Sequence, residues 1–243
     1  MRLGSSLLLA LLALAPVPAA AECAGTVYLT LDTGNMAQAE DVARVLAAEQ
    51  VRATFFVANE KTRRGDRALD PGWASYWNAR VAEGHVFGNH TWSHHYAQRD
   101  EGERIVGRSV DGRPVSMDRA AFCDELRRVD VAWEALTGRR LAPMWRAPGG
   151  KTTGQSIRWA GECGFPVHVE WTAAGYVGDD LPSDAHPNAA LLRRALDRVA
   201  PGEVLLMHLG VWDRREPAAP ILRPLIKGIK GRGLCFATLG PGP

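Results

Sequence analysis

The sequence predicts an α/β fold, a barrel of about seven parallel strands in a single domain. Strand and helix patterns alternate along the chain, which is typical of a parallel sheet covered by helices. Seven such units fit into 243 residues, and barrels of about 200–250 residues often fold as one domain.

The predicted strands are short apolar or β-branched segments. They are Thr26–Leu31, Ala53–Val57, His85–Gly88, Leu141–Trp145, Pro166–Trp171, Val204–His208 and Leu234–Leu239. In a parallel barrel the carboxyl ends of the strands meet at one rim, where functional residues collect.

The helices are predicted from apolar residues that recur on one helix face. The longest is Asp118–Leu136, which Gly138 ends. The others are Ala37–Gln50, Trp73–Glu83, Gly154–Cys163, Pro187–Val199 and Ala219–Ile229. Residues 97–117 are polar and are predicted to form an excursion loop.

Residues 1–21 are predicted to be a signal peptide that is cleaved after Ala21. Arg2 gives a basic start, and Leu7 to Ala15 is an apolar run that is shorter than the roughly 20 residues a membrane span needs. No later segment is apolar enough to span a membrane. We therefore expect a periplasmic or secreted protein whose single domain is residues 22–243.

The charge of the chain gives little reason to expect a nucleic-acid or membrane partner. The net charge is +2, and loss of Arg2 with the signal peptide lowers it to +1. We expect the protein to be a monomer.

An exported chain with four cysteines is expected to form disulfides, and three pairings are possible. Cys23 precedes the first strand and Cys235 lies in the last, and these strands are neighbours in a closed barrel. This favours Cys23–Cys235 and, by remainder, Cys123–Cys163. The spacing does not suggest a thiolate zinc site.

Asp32-Thr33-Gly34 follows the first strand and has two interpretations. It matches the catalytic triplet of aspartic proteases, but it also places a carboxylate at the rim of a barrel. Protease chemistry needs two Asp carboxylates that share a proton. One such triplet in an α/β chain disfavours that interpretation.

Three more chemically active positions follow predicted strands. His90 and His94 lie four residues apart and, in a turn of helix, can face one metal ion. Arg146 begins a tight Pro-Gly-Gly loop, and His208 ends an apolar strand. With Asp32, these positions agree with the rule that barrel strands present functional residues at their carboxyl ends.

In this order, the motifs resemble those of the polysaccharide deacetylases of carbohydrate esterase family 4. The family's first motif, Thr-Phe-Asp-Asp-Gly, is similar to Thr30–Gly34, and its second, His-Ser/Thr-x-x-His, to His90–His94. Its third motif, Arg-x-Pro-x-Gly, is similar to Arg146–Gly150, and its fifth, Leu-x-His, to Leu206–His208. The resemblance covers nearly all of the chain that follows the signal peptide.

The resemblance implies a deformed (β/α)-barrel and a metal-dependent hydrolase that removes N-acetyl groups from a glycan. Chitin oligomers, peptidoglycan and poly-N-acetylglucosamine all present the same acetamide. The implied cofactor is a divalent metal, with zinc expected and cobalt or nickel as alternatives.

The resemblance also implies roles for individual residues. Asp32 is the general base, His208 is the general acid and Arg146 orients Asp32, while His90 and His94 hold the metal. For the substrate, it implies that Leu206 lines the pocket for the acetyl methyl group, that Trp171 walls the sugar groove and that Pro148 also binds the substrate.

The first motif departs from the family at Thr33, which stands where the family has the Asp that provides its third metal ligand. A neutral hydroxyl is a weaker zinc ligand than a carboxylate. Three outcomes follow: water or Thr33 completes a weaker site, Asp32 moves onto the metal, or the protein binds glycans without catalysis.

The fourth motif also departs from the family, because Ala173–Val177 contains no acid where an Asp is expected. The nearby carboxylates are those of Glu170, Asp179 and Asp180. Glu170 and His168 share one face of the predicted strand and are candidate partners of Arg146, with a structural ion pair at the edge of the core as the alternative.

Overall fold

The structure is a computed structural model that describes residues 23–240, so the predicted signal peptide and its cleavage point lie outside the described residues. Ten strands occur between these limits: β1 (Gly25–Asp32), β2 (Thr54–Val57), β3 (Val86–Asn89), β4 (Tyr96–Glu101), β5 (Arg104–Arg108), β6 (Pro114–Met117), β7 (Met144–Trp145), β8 (Val167–His168), β9 (Val204–His208) and β10 (Leu234–Ala237).

Six α-helices connect the strands: α1 (Ala39–Ala48), α2 (Ala74–Ala82), α3 (Arg119–Thr137), α4 (Gly154–Glu162), α5 (Asn188–Arg198) and α6 (Ala219–Gly231). They confirm the predicted helices with small shifts at their ends. Helix α3 begins where the Asp118 carboxylate accepts the Ala121 N–H, and it ends at Gly138, whose φ of 67° suits glycine. Within residues 23–240, no helix is both long and apolar enough to cross a membrane.

Seven parallel strands form one curled sheet in the order β10-β1-β2-β3-β7-β8, with β9 also paired to β1. Within the described residues β8 and β9 do not pair with each other. An isolated bridge joins Tyr176, in the segment that follows β8, to Leu206 in β9. The sheet is therefore a barrel that closes incompletely, and the predicted deformed barrel in one domain is confirmed. Strands β7 and β8 have two residues each and are shorter than predicted.

The prediction of a loop at residues 97–117 was wrong. Strands β4, β5 and β6 form a separate antiparallel sheet in this segment. Their outward faces are polar, but Ala97, Ile105 and Met117 are buried and attach the small sheet to the main core. Gly102 and Gly112, with φ of 56° and 81°, supply the two turns.

An aromatic cluster fills the core between the sheet and helices α2 and α3. Phe55 and Phe87 stack with ring centroids 5.4 Å apart, and Trp77 and Trp133 pack beside them. Such rings bury about 150–250 Å² each, which makes this cluster a major source of stability behind the site.

Both predicted disulfides are confirmed. Cys23–Cys235 joins the segment before β1 to β10, and Cys123–Cys163 joins α3 to the end of α4. Each pair has a Cα–Cα distance of 5.6 Å, which is usual for a disulfide.

The strand register sets the height at which functional residues emerge. Asp32, the last residue of β1, pairs with His208, the last residue of β9. Asn89 ends β3 opposite Trp145, which ends β7, so His90 and Arg146 follow at the same level. The four strands thus deliver one acid, two histidines and one arginine to a single rim.

Candidate active site

Asp32 and Arg146 form a buried ion pair at the centre of the rim. Arg146 Nη1 lies 2.8 Å from Asp32 Oδ1 and also donates to Thr30 Oγ1 at 2.9 Å, and its Nε donates to the Val169 carbonyl. Neither Glu170 nor His168 partners Arg146 through its side chain. The hydrogen bonds of the guanidinium go to Asp32, Thr30 and the Val169 carbonyl.

The neighbours of Asp32 keep it ionised. Burial alone would raise the pKa of Asp32, but the nearby Arg146, His90 and His208 hold the pKa below its usual value. The Arg146 bond occupies Oδ1, and Oδ2 faces His90 Nε2 at 3.4 Å. A charged carboxylate with one oxygen free of the arginine is able to accept a proton.

His90 is oriented by the backbone. Its Nδ1 lies 2.9 Å from the Arg146 carbonyl, so this nitrogen carries the proton and Nε2 keeps its lone pair. Burial lowers the pKa of His90 to about 4, although the charges of Asp32 and Glu60 partly oppose this shift. A neutral imidazole with Nε2 turned into the site is the form that binds metals.

His94 lies beside His90, but the predicted turn of helix between them was wrong. Thr91 and His94 have φ of 62° and 53°, so two left-handed residues fold the segment instead. The two imidazole rings nevertheless meet, with their centroids 4.8 Å apart. His94 Nδ1 is buried and has no hydrogen-bond partner among the residues that the structure describes.

The side chain of Thr33 does not point where a third metal ligand was expected. Its hydroxyl donates to the Phe56 carbonyl at 3.0 Å and accepts the Ala58 N–H at 2.8 Å. The side chain is buried against the end of β2 and does not line the groove that contains Asp32, His90 and His94. Thr33 therefore joins two strand ends instead of facing a ligand.

His208 is paired with Asp179, a residue to which the family motifs assign no role. His208 Nδ1 lies 3.0 Å from Asp179 Oδ1, and the His208 backbone N–H donates to Oδ2 at 2.7 Å. Burial alone would lower the pKa of His208, but the carboxylates of Asp179, Asp32 and Asp180 raise it to about 10. His208 is therefore protonated at neutral pH.

One sequence signal pointed toward Asp179. It lies in the loop after β8, and loops at the carboxyl ends of barrel strands carry functional residues. However, it is 29 residues from His208, so local spacing could not connect the two.

These groups face a long open groove. Trp171 and Leu206 line it as expected, and Trp212 lines it as well. Pro148 does not line the groove, because it is buried in the turn behind Gly149. Residues 109–113, at the β5–β6 turn, also line the groove, so the small antiparallel sheet borders it.

A family model described as polysaccharide deacetylase matches residues 20–168, more than half of the chain. The chain belongs to the polysaccharide deacetylase family. The match contains Asp32, His90, His94 and Arg146 and ends before His208.

Individual relatives and structures are similar over most of the chain. A peptidoglycan-N-acetylglucosamine deacetylase of Bacillus cereus is 26% identical over 219 residues, which cover 88% of this chain and 66% of the relative, slightly under two thirds of its length. The crystal structure of a peptidoglycan N-acetylglucosamine deacetylase superposes with a TM-score of 0.68 at 22% identity, covering 88% and 86% of the two chains.

A family 4 pseudoenzyme has a similar fold. A mutant of this Bacillus anthracis protein, described as having restored enzymatic activity, superposes with a TM-score of 0.67 at 18% identity and covers 88% of this chain and 66% of its own. The shared fold therefore occurs in both active and inactive proteins.

Proposed function

We propose that this protein is a metal-dependent deacetylase of N-acetylated glycans that acts outside the cytoplasm. The observation that carries the proposal is the pairing of Asp32 with Arg146 and of His208 with Asp179 at one rim. These two pairs keep a carboxylate ionised and an imidazole protonated in the same groove. That combination suits a general base and a general acid.

The residues fit a divalent ion through their nitrogen atoms. His90 directs a free Nε2 into the site, and the buried Nδ1 of His94 has no protein partner between residues 23 and 240. Over the same residues, no three His, Cys, Asp or Glu side chains are already grouped as a metal site. His90 and His94 would hold the ion, and Thr33 would not.

A bound divalent ion would act as a Lewis acid toward the acetyl carbonyl. Asp32 Oδ2 would accept the proton of the attacking water, while Arg146 keeps the carboxylate in place. His208 donates through Nδ1 to Asp179, which leaves Nε2 to protonate the nitrogen of the leaving sugar amine. Leu206 and Trp171 would contact the acetyl group and the sugar.

Removal and return of the metal tests this proposal. We expect the protein stripped with a chelator to release no acetate from N-acetylglucosamine oligomers, and we expect zinc, cobalt or nickel to restore release. Acetate is measured enzymatically, with a mock-treated sample as the control. Acetate release that persists without metal would contradict the metal-dependent mechanism.

The Asp179–His208 pair predicts the pH dependence of the reaction. Because the general acid must be protonated, activity should be retained below the His208 pKa and lost as the pH rises through about 10. Asp179→Asn removes the strongest charge that raises this pKa. We expect the alkaline limb of the kcat/KM profile to move to lower pH by at least about one unit.

Asp180→Asn is the matched control, because Asp180 contributes less to the His208 pKa and bonds to the Tyr176 hydroxyl. It should move the alkaline limb less than Asp179→Asn. If the pH dependence of kcat/KM is the same for wild type and Asp179→Asn, His208 is not the general acid.

Glycan binding without catalysis is a second candidate function, favoured by the absence of a carboxylate at Thr33 and by the pseudoenzyme with the same fold. It predicts saturable oligosaccharide binding with no acetate release under any metal. The protease interpretation has no support, because the neighbours of Asp32 are Arg146, His90 and His208 and not a second carboxylate.

Export is part of the proposal and is supported by the two disulfides, which persist in oxidising compartments.

A further inference from the structure

Asp179 lies in a tight turn whose two ends are both held by arginines from other parts of the chain. The turn spans residues 178–181 and closes where the Leu181 N–H donates to the Gly178 carbonyl at 3.1 Å. It belongs to residues 169–187, all of which the structure describes and none of which lies in a helix or strand. Regular secondary structure therefore does not fix the position of Asp179.

On one side of the turn, Arg194 from helix α5 holds the residue before Gly178. Its Nη2 donates to the Val177 carbonyl at 2.7 Å. Gly178 has a φ of +84°, and a Cβ at this position would lie 2.5 Å from Arg194 Nη2. The turn can pass this close to the guanidinium only with glycine, which also accepts the left-handed conformation.

On the other side, Arg214 holds the last residue of the turn. Its Nη1 donates to the Leu181 carbonyl at 2.8 Å, and its Nη2 donates to Asn188 Oδ1 at 2.6 Å. The side chain of Arg214 is almost fully buried. Because Arg214 lies in the loop that follows His208, these bonds join the segments that carry His208 and Asp179 a second time.

Both arginines donate to main-chain carbonyls, so the carboxylate of Asp179 stays available to His208. Its two oxygens take the backbone N–H of His208 at 2.7 Å and the imidazole Nδ1 at 3.0 Å. A movement of the turn by about 1 Å would lengthen both bonds beyond the range of useful hydrogen bonds. Support at the ends of the turn therefore decides whether the pair is kept.

We propose that Arg194 is a positioning residue, which from one end of the turn holds Asp179 against His208 while Arg214 supports the other end. The catalytic meaning of this inference rests on the proposed function, in which His208 is the general acid. Its geometric content, that the Asp179–His208 contact depends on Arg194, does not require acetate release.

The direction in which the His208 pKa changes separates positioning from a simple effect of charge. The charged groups around His208 are the carboxylates of Asp32 on β1 and of Asp179 and Asp180 in the loop after β8, and Asp180 also accepts a bond from the Tyr176 hydroxyl. If Arg194 acted only through its positive charge, its loss would raise the pKa of the imidazole. If it holds Asp179 in place, its loss moves a carboxylate away from the imidazole and lowers the pKa.

Arg194→Met tests the inference, because methionine keeps much of the side-chain volume but cannot donate to the Val177 carbonyl. We expect the His208 pKa, measured by NMR titration of its ring, to fall by at least about 0.5 unit. The fall should be smaller than that in Asp179→Asn, since Arg214 still holds the other end of the turn. The alkaline limb of the kcat/KM profile of the metal-loaded enzyme should move to lower pH by the same amount.

Arg193→Met is the matched control, because Arg193 is the exposed arginine next to Arg194 on the same helix. It should leave the His208 pKa within about 0.2 unit of the wild-type value. Arg194→Lys keeps a donor and the charge, and it should restore most of the lost pKa. In the Asp179→Asn background, Arg194→Met should cause no further fall, because the arginine acts through Asp179.

An unchanged or raised His208 pKa in Arg194→Met would overturn the inference. Thermal melting checks that the variant is folded, and a lower melting temperature with an unchanged pKa would leave Arg194 with a purely structural role. A further fall in the Asp179→Asn background would also overturn the inference, since Arg194 would then act by another route. Failure of the proposed function gives a different result, in which the His208 pKa falls in Arg194→Met but no protein releases acetate under any metal.

Discussion

His90→Ala is expected to remove zinc binding and acetate release together. His90 is the buried imidazole whose Nε2 faces the site, and its orientation is set by the Arg146 carbonyl. Loss of one ligand from a small set should weaken zinc affinity by more than about 100-fold. Calorimetry with zinc and acetate release from N-acetylglucosamine oligomers, on the same protein sample, provide the measurement.

His95→Ala is the control for this variant. His95 is adjacent in sequence to His94, but its side chain also borders a small cavity formed by Met117, Phe122 and Glu125. We expect His95→Ala to bind zinc as the wild type does. Wild-type activity in His90→Ala would refute the metal assignment, whatever the control shows.

Asp32→Asn is expected to reduce acetate release by about 10²–10⁴-fold, the usual contribution of a general base. The amide has nearly the shape of the carboxylate and can still accept a hydrogen bond from Arg146, but it cannot take a proton from water. Initial rates at saturating zinc measure this effect and separate it from loss of metal.

The same substitution should also destabilise the fold. Arg146 is fully buried, and Asp32 is the carboxylate that pairs with it. Removing one partner of a buried ion pair costs up to about 3–5 kcal/mol. Urea unfolding measures the loss, and rates are compared at a temperature where both proteins are folded. A rate within about tenfold of wild type would assign the base to another residue.

The order of strands and helices could be predicted because it depends on local patterns. Val204–His208 was predicted with the bounds that the structure has, since four consecutive apolar residues fit a strand buried on both faces. The small sheet β4–β6 was not predicted because its strands lack such a local pattern. Ala97, Ile105 and Met117 are too widely spaced among polar residues to give a strand pattern.

Only those site residues that lie at the end of a predicted strand, or directly after it, could be located from the sequence. Asp32, His90, Arg146 and His208 could be located in this way. Contacts that cross the barrel could not be predicted, because nothing near Asp179 in the sequence indicates His208.

The role of Thr33 could not be predicted from the sequence either. Its identity was visible in the sequence, but the purpose of its hydroxyl depends on the carbonyl and N–H groups that β2 presents at its end. Only the paired strands show that it faces away from the groove.

The position of β1 determines when the candidate site can form during synthesis of the chain. β1 is the first strand within residues 23–240, yet β9 and β10, two of its three partners, come from the last part of this segment. Asp32 and His208 meet only when β9 pairs with β1. A growing chain therefore carries the proposed base long before the proposed acid is made, and the proposed site stays incomplete until β9 joins the sheet. Such long-range pairing is also a reason to expect slow folding.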